Sequence, residues 1–184
     1  MRYLLTMLFI LPLTSHACLE LQKDSVKVQW TGYKTAAKVG VSGIFTDVKH
    51  DGKTKAETID DLINGASLTM NLSTPSSGNA ARDLNLKDKF FKLVGKQAVA
   101  KVKKIDKGLA RVDLKMGKKT VDVALVPDLK DDVLTLSGTL DMYDFAIDSA
   151  FASIAKTCRA LHEGKTWNDV AIKVTANVTP CKAQ

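Results

Sequence analysis

Residues 133–147 read VLTLSGTLDMYDFAI. Leu134, Leu136, Gly138, Leu140 and Met142 fall on one side of an extended chain, and Thr135, Ser137, Thr139 and Asp141 on the other. A strict period of two marks a strand with one face in an apolar interior and one in water. Gly138 sits on the apolar side, where a missing side chain lets the strand bend or another group approach. A strand this long needs long neighbours. The question it sets is what encloses the apolar face, and whether that interior is filled by side chains or by a ligand.

Working outward, seven more segments alternate in the same way. Ser25–Lys34 sets Val26, Val28 and Trp30 against polar residues, and Lys38–Val48 carries Val39, Val41, Gly43 and Phe45 in one parity. Ala66–Ser73 follows with Leu68, Met70 and Leu72. Then come Gln97–Ile105, Ala110–Met116 and Thr120–Val126, separated by the turns Asp106-Lys107-Gly108 and Gly117-Lys118-Lys119. Trp167–Thr179 is the last. Tight turns between successive strands make the pairings antiparallel. His50-Asp51-Gly52-Lys53 reads as a turn.

Three stretches break the pattern. Thr58–Asn64 suits a short helical turn, and Asn79–Leu93 suits one or two short helices capped by Asn79. Asp148–Glu163 places Phe151, Ile154, Ala155, Cys158, Leu161 and His162 on one helical face, with Gly164 to end it. The expectation is an all-β domain of eight antiparallel strands with short covering helices, either a sandwich or a barrel. An eight-stranded barrel just accommodates filling side chains or one small ligand. Many inward residues here are Val, Ala or Gly, and aromatics make up only 6%, which favours a lumen over a packed core.

Residues 1–17 have the form of a secretory signal peptide: basic Arg2, an apolar run from Leu4 to Leu13, and Ser15-His16-Ala17 as a small-x-small cleavage site. The mature chain, 18–184, is then a single exported domain. The alternative is a lipoprotein anchored at Cys18, although Ser15 and His16 depart from the usual lipobox. The formal net charge of +7 is spread along the chain with acids nearby. Few aromatics are interleaved and no reading helix is recognisable, which argues against nucleic acid. A solvated basic surface or attraction to an anionic membrane surface accounts for it.

Several of these stretches together resemble the YceI-like family of exported, lipocalin-like, polyisoprenoid-binding proteins. They are Val39–Phe45, Asn79 through Arg82-Asp83 and Leu86 to Phe90-Phe91, Gly117–Val123, and Gly138–Ile147 with its Tyr-Asp-Phe. The resemblance runs from about residue 20 to 179. It implies an eight-stranded antiparallel lipocalin-like barrel whose apolar lumen holds an isoprenoid or similar lipid tail in the bacterial periplasm. Where family members often carry His, this chain has Ala81 and Asn85, which leaves the head group open. No cofactor is implied beyond a bound isoprenoid or quinone-like lipid.

On the physical reading, the candidate lumen-lining residues are Val28, Trp30, Val41, Phe45, Leu68, Met70, Leu114, Leu136, Leu140, Ile172 and Val174. Each serves equally well as ordinary core. Arg82 and Asp83 are candidates for a polar head group at the rim, or for fixing the helical segment to the barrel. The three cysteines belong to an oxidising compartment. If the first and last strands are antiparallel neighbours, Cys18 and Cys181 meet at one end, and Cys158 is a buried free thiol.

Enzyme readings are weak, so a non-catalytic protein is expected. His50 in a turn and His162 on a helix lack partners at metal-ligand spacing. Gly40-Val41-Ser42-Gly43 lacks the spacing of a nucleophile elbow. The competing function is a structural or interaction module with a filled barrel. The oligomeric state is left open.

Overall fold

The computed structural model describes residues 18–181. The expected signal peptide, residues 1–17, lies outside them. The described chain is all-β, with every strand pairing antiparallel.

The strands are β1 Leu19–Leu21, β2 Lys27–Lys34, β3 Val39–Phe45, β4 Val48–Asp51, β5 Lys55–Ala56 and β6 Ser67–Asn71. Then follow β7 Pro75–Ser76, β8 Gln97–Asp106, β9 Leu109–Met116, β10 Lys119–Lys130, β11 Val133–Asp141 and β12 Thr166–Pro180. The expected count of eight is therefore corrected to twelve. The eight expected strands are present as β2, β3, β6 and β8 to β12. The additional β1, β4, β5 and β7 are two to four residues long, too short for a period of two to show in sequence.

The sheet runs β4-β6-β8-β9-β10-β11-β12-β2-β3-β7. It curls into the lipocalin-like barrel class because β3 and β4, near its opposite ends, are consecutive in the chain. Segment 39–51 pairs with β2 through its first half and with β6 through its second. The bend between them is held by Thr46 N–H donating to Thr74 O (3.1 Å) and Asn71 N–H donating to Asp47 O (3.0 Å).

The alternation read in residues 133–141 holds, with Leu134, Leu136 and Leu140 buried and Val133, Ser137, Thr139 and Asp141 exposed. Gly138 does what its missing side chain allows. A Cβ there would lie 2.7 Å from Leu125 Cδ2 and 2.8 Å from Ala124 O. At this point β10 changes partner: Lys119–Leu125 pair with β9, whereas Val126–Lys130 pair with β11. Beyond the split, the 3-10 turn Met142–Phe145 packs against β10 and β12. Phe145, 1% exposed, is its anchor.

The helices cover the barrel ends. Helix α1, Ile59–Ile63, is capped by Thr58, whose Oγ1 accepts from Asp61 N–H (3.1 Å), and it buries Leu62 and Ile63. Helix α2, Ala80–Leu86, is capped by Asn79, whose Oδ1 accepts from Arg82 N–H (2.9 Å). It continues through a π turn, Lys87–Phe91, into α3, Lys92–Val94. Helix α4, Asp148–Thr157, stops short of the expected Glu163, and the chain returns through turns to β12.

Cys18 and Cys181 form a disulfide with Cα atoms 5.2 Å apart. The bridge extends the β1–β12 ladder, in which Leu19 pairs with Pro180. Cys158 is free and buried.

Candidate functional site

Inside the curled sheet lies a cavity of about 520 Å³, within the range of roughly 300–1,000 Å³ that holds one small or single-chain ligand. Ten of the eleven expected residues line it: Val28, Trp30, Val41, Phe45, Leu68, Met70, Leu114, Leu140, Ile172 and Val174. Leu136 does not. It faces a second cavity of about 70 Å³, which Leu21, Leu62 and Ile63 wall off from β1 and α1. Alternation assigns a residue to a face of the sheet but not to a height along the barrel.

Small residues on several strands contribute to the space of the large cavity. β8 contributes Ala98 and Ala100, and β9, β10 and β12 add Val112, Val123, Val170 and Val174. Inward-facing Leu68, Ala100, Leu114, Ile172 and Val174 are only half-buried, because the wall they form faces open space.

Aromatic side chains shape the rest. Trp30 lies over Gly43, its cross-strand partner, where a Cβ would come within 2.3 Å of the indole. The Trp30 indole N–H is buried with no hydrogen-bond partner among the described residues. Phe91 stacks edge-on against Phe45 (5.2 Å) and Phe90 (5.0 Å), and all three line the cavity. The π turn directs both adjacent phenylalanines inward from a segment whose other residues, Lys87, Asp88 and Lys89, are exposed. An aromatic pair among charges was the sequence signal for this wall.

No protein-family model matches the sequence, and no curated protein does. Solved structures do match the fold. A polyisoprenoid-binding domain from Saccharophagus degradans, implicated in plant cell wall breakdown, is 14% identical with a TM-score of 0.59, covering 90% of this chain and all of that one. Burkholderia cenocepacia BcnA is 16% identical with a TM-score of 0.59, covering 87% of this chain and 99% of its own. The Campylobacter jejuni YCEI protein is 17% identical with a TM-score of 0.54, covering 79% and 87%. The chain has the YceI-like fold.

In this YceI-like barrel the polar residues of the wall are cationic or neutral. Lys34, Arg82 and His162 line the cavity with Asn79, Asn85 and Thr166, and no Asp or Glu is among the lining residues described. The two rim candidates separate. Arg82 donates through Nε to Ser77 Oγ (2.7 Å) and through Nη2 to Ser77 O (2.9 Å). Asp83 accepts from Ser77 N–H (2.9 Å) and from the Ser77 hydroxyl. Ser77 thus ties both to the strand that leads into α2. Arg82 lines the cavity and Asp83 does not.

Lys34 was missed by the sequence reading. It continues the inward parity of Val28, Trp30 and Gly32 to the end of β2, where its cross-strand partner is Thr166. His162 Nδ1 and Thr166 Oγ1 are hydrogen-bonded (2.8 Å). Burial lowers the His162 pKa and the nearby Lys34 lowers it further. Burial raises that of the Cys158 thiol, against the pull of Lys34.

His50 is not in a turn. It lies within β4 opposite Leu68 and lines the small cavity, with Nδ1 buried and unpartnered among the described residues. Its pKa is lowered by burial first and Lys23 second, with Asp51 opposing.

Some of the surface charge is paired across strands. Lys103 bridges Asp113 (2.9 Å) and Asp122 (3.1 Å), and Arg111 also reaches Asp122 (2.9 Å). Among the described residues no three His, Cys, Asp or Glu side chains gather as metal ligands do. No helix there is long and apolar enough to cross a membrane.

Proposed function

We propose that this protein binds an isoprenoid-type or similar long-chain lipid, and sequesters or carries it in the bacterial periplasm without catalysis. The observation that carries this reading is the apolar cavity of about 520 Å³ within the sheet. Apolar surface removed from water contributes roughly 25 cal/mol per Å², while association costs about 4–15 kcal/mol. A lipid tail must therefore lose several hundred Å² of exposed surface to bind well, and a lumen walled by strands and helices on several sides supplies that where a shallow groove does not. That one structural neighbour is a polyisoprenoid-binding domain supports the same ligand class.

An exported setting is supported by the Cys18–Cys181 disulfide, since such bonds persist in oxidising compartments. A Cys18 thiol bonded to Cys181 is also not free to carry a lipid anchor, which favours release of 18–184 as a soluble carrier over the lipoprotein alternative. Attraction to an anionic membrane surface through unpaired lysines suits a protein that collects its cargo there.

Native mass spectrometry of the protein purified from its own envelope, with organic extraction of what is bound, tests the reading. A stoichiometric prenyl lipid or quinone is the expected result. A bare chain, even after incubation with isoprenoids, would leave an interaction module as the better account.

A further inference from the structure

The large cavity is apolar along most of its wall, and its two permanent cations are Lys34 and Arg82. Lys34 ends β2 on the inward parity, and its neighbours there are Thr166, paired with it across the ladder, and His162, bonded to Thr166. The Lys34 ammonium has no hydrogen-bond or ion-pair partner among the described residues. Lys38, four residues on, differs: it is held by Asp169 at 2.6 Å and lies over the Tyr33 and Trp167 rings. The other permanent cation of the wall, Arg82, is occupied by Ser77.

Lys34 is half-buried beside an apolar lumen, and no carboxylate of the wall neutralises its charge. An anion delivered by a chain lying in the lumen would form a charge-assisted hydrogen bond with it. No lining carboxylate repels that anion. A neutral prenol or quinone would bury its tail equally well but leave the ammonium unpaired.

We propose that the cavity takes a single-chain amphiphile whose anionic head, a carboxylate or a phosphate, pairs with Lys34 beside Thr166 and His162. This rests on the lipid-binding reading above and adds the chemistry of the head group and the residue that selects it. The cavity volume restricts the cargo to one chain rather than the two of a membrane phospholipid.

The test is a titration of the disulfide-intact protein with matched pairs: oleate against its methyl ester, and farnesyl diphosphate against farnesol. The wild type should bind at least one anion about tenfold more tightly than its neutral partner, as a charge-assisted bond requires. The pair showing the larger preference identifies carboxylate or phosphate as the head. Lys34→Met should bring the anion down to the affinity of its neutral partner, and Lys34→Arg should restore most of the preference. Melting temperatures confirm that both variants fold.

Equal affinity for anion and neutral partner in the wild type would overturn the head-group assignment while leaving lipid binding intact. An anion preference that survives in Lys34→Met would place the head elsewhere and overturn the role of Lys34. Failure of all four compounds to bind would overturn lipid binding itself and this inference with it.

Discussion

Strands β11 and β12 run through two regions that share a sheet and a hydrophobic alternation but end in opposite conditions. At one end Leu134 pairs with Ala176, and Leu136 with Val174, and the interior is stoppered by Leu21, Leu62 and Ile63 until about 70 Å³ remains. At the other, Leu140 pairs with Val170 and about 520 Å³ stays open. The strands alone do not decide between core and container. Short elements do: β1 and α1 bring bulky aliphatic side chains into the first region. In the second, α2, the π turn and α4 cover a lumen whose wall mixes small residues such as Ala98, Ala100 and Val123 with the aromatic rings of Trp30, Phe45, Phe90 and Phe91, and no such plug enters it.

That contrast has an energetic consequence. Leu134, 1% exposed, is fully buried beside only the small cavity, so Leu134→Ala should cost about 3–4 kcal/mol, as buried leucine truncations do. Leu114 already faces open space, so Leu114→Ala should cost about 1 kcal/mol, the lost contacts of a half-buried side chain without much new void. Urea denaturation of both measures the difference. Equal losses would mean that the large cavity collapses around side chains and is not a standing feature of the fold.

A smaller effect separates the regions by pH. His50 belongs to the filled end, and burial lowers its pKa in the folded state. A histidine shifted downward is favoured neutral by folding. Its contribution is fully present above the unfolded value of about 6.5 and is lost as pH falls through the lower folded value. Wild-type stability should therefore decline more steeply below about pH 6.5 than that of His50→Gln, by less than about 1 kcal/mol given partial solvent screening. Identical slopes would remove His50 from the packed end. His162 titrates in the same direction in both proteins and cancels in the comparison.

What was legible in the sequence follows from what each signal encodes. Period two located the eight long strands and their inward faces, and the neighbouring of first and last strands brought Cys18 to Cys181. Segments of two to four residues carry too few alternations to register, so β1, β4, β5 and β7 give no signal and the His50 stretch reads as a turn. Leu136 was assigned to the right face but the wrong cavity, because height along the barrel depends on α1. Lys34 stood in the inward parity of Val28 and Trp30. It went unread because a lysine at a strand end ordinarily belongs to solvent, and only the cavity wall shows that this one faces inward.

The most direct measurement is uptake of geranylgeraniol, a neutral single-chain isoprenoid, by the wild type and by Leu140→Trp and Val174→Trp, read by native mass spectrometry with melting curves as the control for folding. Filling the lumen with an indole should abolish the bound species in both variants while the wild type binds one molecule. Undiminished uptake by two folded, cavity-filled variants would contradict the assignment of the large cavity as the lipid site.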